Sequence, residues 1–170
     1  MEVPLLLFVG LILLLACSAF TSASEIAFFA LSLNDLEELK KSNKKNDKVI
    51  LQLREKPDYL LSTLLIFNNL VTVPIVIVAS ELLYCILGVN IVEVVKFLID
   101  TVLITFVVLL FGENMPKIYA SSNPLQFARK AAFPLSILSK MLYPISWLLV
   151  KPTSRVKRLE KHANTSVSMD

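Results

Sequence analysis

An all-α integral membrane fold is what this sequence predicts, and three observations predict it. Of its 170 residues 55% are hydrophobic and the mean hydropathy is +0.68, too apolar for an ordinary soluble domain. Val3 to Ser24 and Tyr59 to Ser80 are each runs of 22 uncharged residues, and about 20 helical residues suffice to cross a hydrocarbon core. Lysine and arginine gather between those two runs, the pattern that orients membrane helices. The predicted architecture is three transmembrane helices plus a cytoplasmic-face juxtamembrane helix, with a short helical hairpin between the first two spans.

The first span covers about residues 3–33. The box LLAC at Leu14 to Cys17 has the look of a lipoprotein cleavage site, but the chain starts MEVP without a positive charge and stays apolar well beyond Cys17, so the span is expected to be retained. The connection that follows, LNDLEELKKSNKKNDKVILQLREKPD, sets Leu36, Leu39, Val49, Ile50 and Leu53 at helical spacing and reads as a helical hairpin on the membrane surface. Its Lys40, Lys41, Lys44, Lys45, Lys48, Arg54 and Lys56 make it the cytoplasmic loop, in contact with lipid headgroups rather than nucleic acid.

The second span covers about residues 58–83. The third, about 89–113, is less clean, because Glu93, Lys96 and Asp100 precede its uncharged part from Thr101 to Gly112. Three crossings from a cytoplasmic first loop put the N-terminus outside and the C-terminus in the cytoplasm of a multi-pass protein of a bacterial or archaeal (inner) membrane. A fourth crossing over residues 131–150 would carry Lys151, Arg155, Lys157, Arg158 and Lys161 outward. The segment 124–150 is therefore expected to lie along the inner face, interrupted at Pro134 and Pro144. Residues 1–150 thus form the membrane domain, and 151–170 a basic linker toward a further cytoplasmic domain.

Polar groups inside spans are costly and point to function. Ser18, Ser22 and Glu25 form one stripe of the first span. Ser62 and Asn69 share a face of the second, with Asn68 adjacent. The third ends in FGENMPK, which brings Gly112, Glu113, Pro116 and Lys117 together. Proline has no amide hydrogen, so Pro116 deprives the Gly112 carbonyl of its helical donor and leaves it free beside the Glu113 carboxylate. Hydroxyls, amides, a carbonyl and a carboxylate suit a hard cation such as Mg2+ and do not suit zinc or copper. With no His or Cys among these groups, membrane-embedded hydrolysis has no support, and no enzyme activity is expected. Interhelical packing by the same polar residues is the competing explanation.

The segments CSAFTSASEIAFFALS, LLSTLLIFNNLV and VLLFGENMPKIYA, in this order, resemble the transmembrane domain of the CNNM/CorC family of magnesium transporters. The resemblance runs from about Leu5 to Val150. It implies a homodimer, cytoplasmic CBS modules in the full-length protein, and Mg2+ export coupled to Na+. It also places a metal site on Ser18, Ser22, Ser62, Asn68 or Asn69, Gly112 and Glu113, with Glu25, Pro116 and Lys117 as structural neighbours. The sequence departs from the family at Phe67, where glycine is frequent, and at Asn114 and Met115, where an apolar pair is usual. A non-transporting membrane anchor or assembly subunit, as in a related gliding-motility group, is the alternative function.

Overall fold

A computed structural model describes residues 2–87 and 93–151, and everything described is helical or a short connection between helices. Helix α1 (Glu2–Phe29) is one long apolar rod; α2 (Leu33–Lys41) and α3 (Lys45–Glu55) form the hairpin; α4 (Pro57–Leu87) is the second long helix. Helix α5 (Glu93–Val107) runs without a break into a π-helical segment (Val108–Asn114) and then α6 (Met115–Ser122), and α7 (Pro124–Met141) is followed by α8 (Tyr143–Lys151). Three stretches are long and apolar enough to cross a membrane: Val3–Phe29, Pro57–Ile86 and Asp100–Ser122. Leu5, Leu6 and Leu13 on α1 and Leu65, Leu70 and Val73 on α4 are exposed, as residues facing lipid must be.

Local chemistry starts and stops the hairpin. Ser32 caps α2: its hydroxyl accepts from the Asp35 amide at 3.2 Å while the Asp35 carboxylate accepts from the Ser32 amide at 2.8 Å, a reciprocal capping box. The hydrogen bonds from the Ser32 hydroxyl and amide hold the Asp35 carboxyl below its ordinary value. Lys40 and Lys41 complement the other end of the helix. Pro57 opens α4, where a missing N–H costs nothing.

Helix α1 is the axis of the domain and contacts α4, α6, α7 and the π segment. Ala23, Ala27 and Phe28 of α1 meet Leu39 and Ile50 of the hairpin, Leu60 and Leu64 of α4, and Ala120 of α6. The face of α7 turned to this core is Ala128, Ala131, Ala132 and Leu135, an i, i+3, i+4, i+7 stripe of mostly small side chains that lets the helix approach closely. A second cluster, Val71 and Ile75 with Ile104 and Val108, holds α4 to the third span, and Phe67 packs at its edge.

Arg129 locks α7 onto the hairpin. Its Nε and Nη2 donate to the two carboxylate oxygens of Asp47 at 2.9 and 3.0 Å, and Nη2 also reaches Glu38 at 2.9 Å. Asn46 Nδ2 adds a bond to the Arg129 carbonyl at 3.1 Å. The Asp47 side chain is fully enclosed, and the guanidinium beside it holds its carboxyl below the ordinary range.

Two expectations are corrected. Pro134 does not interrupt the segment after the third span: it lies inside α7, where the helix tolerates the loss of one bond, to the Lys130 carbonyl. The break comes at Leu142, and α8 leaves α7 at 73° with Pro144 in its first turn. The third helical run, expected to about residue 113, stays helical past Pro116 to Ser122. The expected start of the third span near residue 89, and the linker from 152 to 170, lie outside the described residues.

Candidate functional site

Where α1, α4 and the π segment meet, the costly polar groups converge. The Ser18 hydroxyl, fully buried, donates to Asn68 Oδ1 at 2.9 Å and stands 3.4 Å from the Gly112 carbonyl oxygen, to which it can turn. Asn68 Nδ2 in turn donates to Glu113 Oε1 at 3.4 Å. One serine hydrogen and one amide group thus hold together four oxygens: a hydroxyl, a side-chain carbonyl, a backbone carbonyl and a carboxylate.

Backbone geometry makes this possible. The Met115 amide bonds the Leu110 carbonyl, five residues back, so the helix is wide at this point. Pro116 withholds an amide from the turn that follows, and the Gly112 carbonyl lies within reach of the Ser18 hydroxyl. Gly112 itself is fitted to α1: a Cβ there would stand 3.2 Å from Ser18 Oγ and 3.7 Å from Val108 Cγ1. Gly112→Ala is expected to push the Ser18 hydroxyl off its acceptors and to cost about 0.5–1.5 kcal/mol, the worth of one hydrogen bond. Thermal unfolding of the variant in detergent checks it.

Beside the cluster lies a cavity of about 320 Å3 lined by Thr21, Ser22, Glu25, Ser62 and Asn68, among others. Ser22 is buried; the Ser62 hydroxyl donates to the Asp58 carbonyl at 2.8 Å, which leaves its lone pairs available. Asn68 is the shared wall between cavity and cluster. Asn69, by contrast, is exposed and outside both. Lys117 pairs with Glu25 at 3.4 Å and so joins α6 to α1. Among the described residues no Lys or Arg forms an ion pair with Glu113.

Ser18, Asn68, Gly112 and Glu113 are therefore brought into one cluster; Ser22, Ser62 and Glu25 border the adjoining cavity; Pro116 and Lys117 act on the backbone and on Glu25. Two polar residues of the spans were missed by sequence. Thr21 lines the cavity while its hydroxyl bonds the Cys17 carbonyl at 2.9 Å, and Thr63 pairs with Ser146 of α8 at 3.1 Å, both buried. Thr21 lies off the Ser18–Ser22–Glu25 stripe by one residue, and nothing local announces Ser146 as a partner.

Among the described residues no three of His, Cys, Asp and Glu come together as metal ligands. The cluster's one carboxylate and its neutral oxygens are of the ligand type that hard cations take.

A family profile described as the cyclin M transmembrane N-terminal domain matches residues 9–170. The chain is 36% identical over 143 residues to a UPF0053 protein of Haemophilus influenzae, covering 84% of this chain and 33% of that protein. It is 33% identical over 142 residues to the UPF0053 inner membrane protein YfjD of Escherichia coli, covering 84% and 32%. The chain spans about a third of the length of these curated relatives.

Proposed function

The chain belongs to the cyclin M (CNNM) transmembrane-domain family, and from that premise we propose that it is the ion-conducting part of a secondary transporter that exports Mg2+ against inward Na+, without covalent chemistry. The observation that carries the proposal is the Ser18 hydroxyl poised between Asn68 Oδ1 and the Gly112 carbonyl, beside a Glu113 carboxylate that accepts from Asn68 Nδ2. When Mg2+ arrives, Ser18 rotates its hydrogen away, and its oxygen, the Asn68 and Gly112 carbonyl oxygens and the Glu113 carboxylate turn to the ion. Mg2+ sheds water reluctantly and keeps part of its shell. The cavity at Ser22, Ser62 and Thr21 gives the remaining waters polar neighbours.

The same proposal includes two copies associated symmetrically through membrane faces, an N-terminus outside a bacterial inner membrane, and CBS modules in the part of the protein beyond this chain. Its test is flux. Proteoliposomes holding the full-length protein are expected to move Mg2+ when an opposed Na+ gradient is applied. Asn68→Leu, of similar size but without the amide, is expected to slow that flux by about tenfold or more, since it removes one oxygen ligand. If neither the parent protein nor the variant moves a divalent cation, the domain is an anchor and the polar cluster serves to hold helices together.

A further inference from the structure

A second cavity, of about 410 Å3, opens between α3, the first turns of α4 and the last turns of α7, apart from the oxygen cluster. Leu53 lines one wall, and the rings of Tyr59 and Tyr143, stacked at 5.5 Å, line another. Lys56 and Lys140, both exposed, stand at its edge. Ser139 also lines it, and its hydroxyl oxygen is buried with no hydrogen-bond partner among the described residues. Buried polar atoms are nearly always paired, and a turn of the Ser139 side chain would offer its hydroxyl to a ligand in the cavity. Two ammonium groups and a free hydroxyl ask for an anion with acceptor oxygens, whereas the leucine and tyrosine walls ask for an apolar body.

Position in the fold says which ligand combines the two. The cavity sits where α4 starts as a helix long and apolar enough to cross a membrane. The neighbouring helix α8 carries Trp147 with Lys151 over its ring at 4.2 Å, a pairing suited to the headgroup level. Basic pockets between helices at such a level hold phosphorylated lipid headgroups. We propose that this cavity binds the headgroup of an anionic phospholipid. Lys56 and Lys140 meet the phosphate, the Ser139 hydroxyl donates to one of its oxygens, and the glycerol backbone lies against Tyr59 and Tyr143. A free inorganic phosphate shares the charge and the acceptors but has nothing to place on the apolar walls.

Native mass spectrometry of the chain in detergent, titrated with phosphatidylglycerol, tests the assignment. Retained lipid is expected, with an apparent affinity that falls about tenfold or more in Lys56→Gln/Lys140→Gln, from the loss of two charges near the phosphate. Ser139→Leu keeps both charges but fills the cavity, and is expected to weaken retention as well, which guards against a failure of the double variant to fold. Lys40→Gln/Lys130→Gln removes the same charge from exposed positions elsewhere and is expected to change nothing. Equal loss in that control, undiminished retention in the cavity variants, or equal retention of phosphatidylcholine would overturn the proposal. Displacement of the lipid by millimolar inorganic phosphate would do so too, by making the ligand a free anion. The site does not depend on the transport proposal, and either can fail without the other.

Discussion

Arg129→Met is expected to lower the unfolding free energy by about 3 kcal/mol, the lower end of the range for stranding one partner of a buried ion pair. Asp47 has no exposed side-chain surface and takes two charge-assisted bonds from this guanidinium, at 2.9 and 3.0 Å. Arg129 retains 25% exposure, and solvent access keeps the figure from the upper end. Glu38, more than half exposed, loses its partner at little cost. Arg129→Met/Asp47→Leu should recover most of the loss, because it is the uncompensated charge that destabilises. Denaturant unfolding in detergent measures all three proteins. A change below about 1 kcal/mol in the single variant would show that the clamp contributes no more than a surface pair. A pH dependence follows. The folded chain holds the Asp47 carboxyl below the ordinary 3.8, so its contribution is complete above that value. Stability is lost as pH falls below 3.8 toward the lowered folded value, because the unfolded state takes up the proton first. In Arg129→Met the guanidinium's pull is gone while burial and the weaker pulls of Ser42 and Lys44 remain, so the Asp47 carboxyl rises from its lowered value and the stability lost below pH 3.8 should be smaller than in the parent.

Glu113→Gln is expected to weaken Mg2+ binding by about 1–3 kcal/mol, the scale of an interaction with a charged group, or roughly 5- to 150-fold in affinity. The substitution keeps size and leaves an acceptor for Asn68 Nδ2, so helix packing should barely change. Pro116→Ala tests the other half of the site by returning an amide to the fourth residue after Gly112, which gives its carbonyl a competing helical donor. Both variants are compared with the parent by Mg2+ titration of the thermal midpoint. If Pro116→Ala leaves protection by Mg2+ unchanged and Glu113→Gln shifts stability equally with and without the ion, these residues only shape a helix, and no cation is seated there.

Much of the fold was legible because lipid is an undemanding reader: Val3 to Ser24 and Tyr59 to Ser80 contain nothing that could leave a bilayer cheaply. The third span was harder. Its charged start at Glu93, Lys96 and Asp100 and its proline near the end suggested a run stopping at 113, whereas the apolar helix continues to Ser122. A proline is decisive only against an α-helical register, and the wide turns from Val108 to Asn114 had no sequence signature. Ser18, Gly112 and Glu113 stood out as expensive groups in apolar company. The choice between Asn68 and Asn69 was open because adjacent helical residues point about 100° apart, and only the packing of α4 on α1 turns one of them inward. The Arg129 clamp was invisible for a different reason: Asp47 lies 82 residues away, and a surface-looking arginine in the run ARK carries no hint of a buried partner.

The widened segment from Val108 to Asn114 amounts to slack in a screw. Each residue of an α-helix advances about 1.5 Å and turns about 100°, so drawing that slack out would leave α5 where it is while rotating everything beyond by roughly one residue's worth of phase. Glu113 would swing about a quarter-turn away from Asn68, and the Gly112 carbonyl would leave the reach of Ser18. Lys117, tied to Glu25, resists that rotation from the far side. The oxygen cluster is thus a property of helical phase as much as of composition, and a thread that can lose or regain one residue is a way to open and close such a cluster without parting the helices that carry it.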